Sequence, residues 1–159
     1  MVRLSINGKT HNVDVDPKGR FAYSGECLGS NVIHAYAIDK KTAGLTAVPG
    51  SPFPVDIDVC GGTAITKKGL IAFGLADPVL QVFTRSKTGA LEAPLTPVVA
   101  PGADSHALSS NQKTLVMADD DADMVVTWAF NPKTGDTAPI DAAGIPGASG
   151  ASDTLIVKR

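Results

Sequence analysis

Two cysteines in 159 residues are too few for a disulfide framework or for a cysteine metal cage. Cys27 and Cys60 are therefore read as reduced, structural residues, as expected of a cytoplasmic chain. Aromatic residues make up only 5% of the chain, and 14 basic against 16 acidic side chains leave a net charge of −2. That balance offers no basic surface to attract nucleic acid or an anionic membrane. No apolar run approaches the roughly 20 residues of a membrane-spanning helix. Met1 to Ser5 lacks the long apolar core of a signal peptide, so the expected compartment is the cytoplasm, or the periplasm if a leader has been removed. A phosphate-binding glycine loop, a serine nucleophile elbow and a zinc-spaced histidine pair are also missing, which removes the commonest nucleotide, esterase and zinc-hydrolase readings.

What the chain does have is turns and short apolar runs. Hydrophobic residues make up 43%, enough for a core in one ordinary domain, and 16 glycines with 11 prolines punctuate them. Only Asp141 to Ser152 has a composition that suggests disorder. The polar turn Lys87-Thr88-Gly89 follows the run Val79 to Phe83 and has near-copies at Lys41-Thr42 (with Gly44 one residue late) and Lys133-Thr134-Gly135. The lysines at 41, 87 and 133 are spaced 46 and 46 apart, a fixed period that marks a repeat architecture.

Each repeat predicts four short strands. The first has His11 to Val15, Arg20 to Ser24, Asn31 to Ile38 and Leu45 to Val48. The second has Thr63 to Thr66, Leu70 to Gly74, Val79 to Phe83 and Ala90 to Glu92. The third has Ala107 to Ser109, Thr114 to Met117, Met124 to Phe130 and a weak run at Thr137 to Ile140. Val2 to Ile6 adds a strand before the hairpin signal Asn7-Gly8, and Thr154 to Lys158 adds another at the far end. No segment has a helical period. Four antiparallel strands per unit of about 45 residues is the blade of a β-propeller, whereas a β-sandwich has no reason to repeat its turns at a fixed interval. The expected fold is all-β, a partial propeller of about three four-stranded blades at 10–55, 56–101 and 102–145.

The opening, Ile6-Asn7-Gly8-Lys9 through Pro17, resembles the small iron–sulfur subunits of molybdenum hydroxylases. A [2Fe–2S] cluster needs four thiolates, and the two cysteines here exclude that reading. A longer match runs through Val15-Asp16-Pro17-Lys18-Gly19-Arg20-Phe21-Ala22-Tyr23, Ser30-Asn31-Val32, Ala35 to Asp39, Lys41 to Thr46 and Pro49 to Pro54. Over roughly residues 11 to 140 the chain resembles the lactonase-type, 6-phosphogluconolactonase-like seven-bladed propellers. The resemblance implies a small-molecule site at the mouth of a central channel and the opening of a sugar or acyl lactone. It also implies seven blades where this length holds three, and exposed blade edges favour self-association. Fourteen predicted strands per chain would give 28 in a dimer, the number in seven four-stranded blades.

In a propeller the turns between first and second and between third and fourth strands share one face, which leaves the lysine turns structural. The opposite face gathers the candidates. Lactone opening needs an activated water and a positive group or metal for the developing oxyanion. His106, His11 and Asp121 are the candidates for catalysis, although counting back from the hairpin turn places Val13, not His11, opposite His106. Glu26, Asn31, Asp77 and Asp104 are candidate ligand contacts. Asp119, Asp121 and Asp123 lie in a run of four carboxylates in five residues, which could hold a divalent cation such as Ca2+ or be a solvated acidic turn. Cys60, at the same kind of strand entrance, has no cation beside it in sequence and reads as a small packing residue; His34 carries no assigned role. The competing class is a non-catalytic propeller-repeat module, or a truncated propeller that folds by oligomerising.

Overall fold

A computed structural model describes residues 2–6, 9–15, 18–26, 31–56, 59, 63–67, 71–74, 79–95, 98–99, 106–119 and 123–144. All of its regular structure is β, in three antiparallel sheets. The first holds β1 (Val2–Ile6), β2 (Lys9–Val15), β3 (Phe21–Glu26), β4 (Val32–Ile38) and β5 (Leu45–Ala47) in that order, with β6 (Phe53–Pro54) also on β4. The second holds β7 (Thr63–Ile65), β8 (Ile71–Gly74), β9 (Val79–Arg85) and β10 (Leu91–Pro94), with β11 (Val98–Val99) also on β9. The third holds β12 (His106–Leu108), β13 (Thr114–Asp119), β14 (Met124–Phe130) and β15 (Thr137–Gly144).

The predicted strands are found with ends shifted by one or two residues. Two differences go further. β6 and β11 have only two residues each, too short for any alternating pattern to reveal. β15 continues through Asp141 to Gly144, part of the stretch whose composition suggested disorder, because cross-strand bonds to Met124–Thr127 hold it. The strand predicted at 154–158 lies outside the described residues. β1 is paired with β2 from Val2↔Val13 to Ile6↔Lys9, so it belongs to the first sheet.

Alternation along each strand sends side chains to two faces, and the sheets stack through them. Phe21, Tyr23, Ile33 and Ala35 of the first sheet pack against Phe83, Ile65 and Val79 of the second. Ala64, Leu80 and Val82, on the second sheet's other face, pack against Leu115, Met117, Val126, Trp128 and Phe130 of the third. The Tyr23 hydroxyl donates to the Gly89 carbonyl at 2.8 Å, a buried bond between the first two sheets. The inner strands β2, β7 and β12 are neighbours in turn.

The lysine turns are built by the residue that precedes them. Asp39 Oδ1 accepts from Lys41 N–H at 2.7 Å, Ser86 Oγ from Thr88 N–H at 3.2 Å and Asn131 Oδ1 from Lys133 N–H at 3.0 Å. These short polar side chains cap a reversal that the backbone could not satisfy alone. The Asp39 carboxylate, held by Lys41 N–H and then Thr42 N–H, titrates below the ordinary carboxylate value. A lowered folded-state pKa contributes stability above the unfolded pKa and loses it as pH falls through the folded one. Asp39→Asn, which keeps the acceptor, is therefore expected to be slightly less stable than the parent chain at pH 7. Urea unfolding should show that difference shrinking as pH falls through the acidic carboxylate range; a difference that grows would contradict the assignment.

Candidate functional site

Strands β2, β7 and β12 all start at the end of the stack where β3 ends, β13 ends and β14 begins. The six hairpin turns between first and second and between third and fourth strands lie at the other end. The described candidates, His11, His106, Glu26, Asn31, Asp119 and Asp123, therefore lie toward one end, but not on one surface.

His106 is the first residue of β12, opposite Met117, and only 3% exposed. It shares the face of Leu108, Leu115 and Met117, which packs on the second sheet. His11 sits in β2 opposite Leu4. Val15 pairs with Ala22 as Leu108 pairs with Leu115, so two residues back the position of His106 is taken by Val13. His11 is not its counterpart.

Glu26 ends β3 and is exposed. Its Oε2 lies 3.1 Å from His34 Nε2, and the His34 ring stacks on Tyr36 at 6.3 Å and 9°. This pair was not legible as a site in the sequence, because eight residues separate its members. The signal that could have found it is the hairpin register, which sets Glu26 opposite Val32 and Ser24 opposite His34. Both side chains project from the face of the first sheet that turns away from the second. The sheets of β3 and β9 thus separate Glu26 from His106, and the two do not form one site.

Asn31 adopts φ 46, a left-handed conformation that asparagine tolerates, and its carbonyl accepts from Val55 N–H at 2.8 Å. Asp119 closes β13 opposite Met124, and Asp123 just before β14 has φ 51. Carboxylates flanking one connection are donors of the kind a hard cation takes. Among the described residues no three His, Cys, Asp or Glu side chains come together at metal-binding range. Asp77, Asp104, Asp121, Cys27 and Cys60 lie outside the described residues. Among those described, no helix is long and apolar enough to cross a membrane.

No protein-family model and no curated protein matches the chain. Solved structures do. A candidate 6-phosphogluconolactonase from Bacteroides fragilis superposes with a TM-score of 0.74 at 14% identity, over 89% of this chain and 40% of that one. The fold is that of part of a lactonase-type β-propeller. The three sheets are blades. The periplasmic gluconolactonase of Pseudomonas aeruginosa matches at TM-score 0.68 and 18% identity, over 87% of this chain and 40% of its own. A protein from Lactobacillus plantarum matches at 0.68 and 17%, over 89% and 45%. The chain spans less than half the length of each of these three propellers. One departure lies in blade one, where β1 extends the sheet inward beyond β2, on the side where a propeller has its axis.

Proposed function

We propose that the chain is a lactonase-like hydrolase acting on a small sugar or acyl lactone at the end of the blades where the inner strands begin. The observation that carries this reading is the shared fold with propellers named as gluconolactonases. In the proposed reaction a water attacks the ring carbonyl carbon while a base takes its proton. The ring C–O bond then breaks, and the departing alkoxide takes a proton to give the open hydroxy acid. His106, at the head of an inner strand, is the proposed base, with His11 and Asp121 as the other candidates for proton transfer. Glu26, Asn31, Asp77 and Asp104 are proposed ligand contacts, and a divalent cation such as Ca2+ is proposed at Asp119, Asp121 and Asp123. A cation there would supply positive charge to the oxyanion. The cytoplasm is the proposed compartment.

Hydrolysis of a gluconolactone or an acyl lactone, followed by acid release with and without chelator, tests this directly. His106→Ala is expected to lower kcat/KM by about 100-fold or more, the usual contribution of a positioned base, with His106→Gln controlling for packing. Chelation and Asp121→Ala should lower the rate together if the acidic run holds a cation. Unchanged rates in all of them would remove the chemistry from this end. A second reading, a non-catalytic propeller-repeat module, is favoured by β1 lying inward of β2. It expects no hydrolysis above the blank by the unmodified chain.

A further inference from the structure

The two end faces of the stack carry information that the interior faces decode. Ile38 N–H donates to Arg20 O as Phe130 N–H does to Lys113 O, both at 2.8 Å, and Val48 N–H donates to Ala35 O as Leu95 N–H does to Val82 O, at 2.9 and 2.8 Å. These bonds align the third strands of the blades. Ala35 and Val82 hold one position and face the following blade, and Thr127 holds that position in blade three; Phe83 and Trp128 hold the next and face the preceding blade, and Tyr36 holds that position in blade one.

Phe83 is buried against blade one and Trp128 against blade two, at 4% and 8% exposure. Tyr36, the same aromatic position in blade one, is half-exposed, and among the described residues of its face only Ala22 is buried, in neither of the two core clusters. At the other end Thr114, Val116, Val125, Thr127 and Ala129 are half-exposed small side chains of one face, with Ala118 buried beside them, and none of these joins either core cluster. Each end face is thus the counterpart of one that the chain buries elsewhere against its complement.

Steric detail agrees. Gly89 and Gly135 meet the preceding blade so closely that a Cβ would overlap Phe21 at the first and Leu95 at the second. Blade one has Ala43 at this position, with φ 57, while blade three has Thr114 where blade one has Phe21. The methyl added on one end face is matched by a ring removed from the other. The Glu26–His34 pair stands on the blade-one face with its hydrogen bond already made, which suits the polar part of an interface.

We propose that two copies of the chain associate head to tail, the blade-three face of each (Thr114, Val116, Thr127) seating on the blade-one face of the other (Tyr36, Ala43). A head-to-tail contact closes into a ring when its rotation allows. Two copies of the three described blades make six, within the roughly four to eight of closed propellers, and three copies make nine, outside it. The inference goes beyond the hydrolase reading and holds whether or not a lactone is opened.

Light scattering after size exclusion at micromolar concentration is expected to give about twice the 16.3 kDa chain mass. Val116→Arg and Tyr36→Glu should each return the single-chain mass with the far-ultraviolet circular dichroism of the parent. Mixed in equal amounts they should recover the doubled mass, because one contact stays unaltered and the other sets arginine against glutamate. Thr127→Arg and Ala43→Arg probe the same two faces should either first variant fail to fold. A parent chain of single mass, or a dimer that survives substitution on either face, overturns the proposal; survival on one face alone would mean a symmetric contact through the other.

Discussion

Gly89→Val is expected to lower the unfolding free energy by about 2–6 kcal/mol, measured by denaturant midpoint in far-ultraviolet circular dichroism. Two costs add. Gly89 has φ 91, where a β-branched residue is strained by about 1–3 kcal/mol. Any Cβ there would also overlap the Phe21 ring, and overpacking of this kind costs about 1–3 kcal/mol. Phe21 has little room to retreat, since the guanidinium carbons of Arg20 and Arg85 each lie 5.2 Å from its ring centre. Ala43→Gly is the informative control. It relieves a left-handed alanine on an exposed turn and should be neutral or stabilising by up to about 1 kcal/mol. An equal loss at both positions would mean that the two turns do not hold corresponding places in their blades.

Trp128→Ala is expected to cost about 3–5 kcal/mol, the range for removing a large aromatic from a packed core. Trp128 stands opposite Leu115 in the ladder and is 8% exposed among Leu80, Val82 and Met117, so its loss opens the seam between blades two and three. It is the chain's single tryptophan, which makes circular dichroism the proper probe for this variant. A loss below about 1 kcal/mol would mean that the seam collapses around the vacancy or that blade three folds apart from blade two.

The lysine spacing shows how far a sequence can be read and where it misleads. The intervals of 46 and 46 pointed to three repeats, and three sheets are present. Yet the lysines do not correspond. Lys41 and Lys133 stand two residues after their capping side chains, and Lys87 stands one after Ser86, because the second turn is one residue shorter. The capping residues Asp39, Ser86 and Asn131 are spaced 47 and 45 apart. They differ in type while sharing one acceptor role, which is why residue identity picked out lysine instead. For the same reason Gly44 looked displaced: Ala43 has the φ of 57 that answers to 91 at Gly89 and 83 at Gly135.

The candidate site was less legible than the blades. The end of the stack was inferable, since strand order alone sends the second-to-third connections one way. Which face each side chain takes was not. His106 points into the seam between blades two and three, and Glu26 points outward from blade one toward His34. A period of two separates the faces of a strand without saying which neighbour each will meet.

By itself, then, the sequence determined an all-β chain of three repeats, since apolar alternation and turn-forming residues act over a few positions at a time. The tertiary structure alone decided that β1 lies inward of β2, that Tyr36 repeats Phe83 and Trp128 on an open face, and that His106 and Glu26 part company. Those outcomes depend on contacts between residues dozens of positions apart, where packing and cross-strand hydrogen bonds choose among faces that the local pattern leaves equivalent.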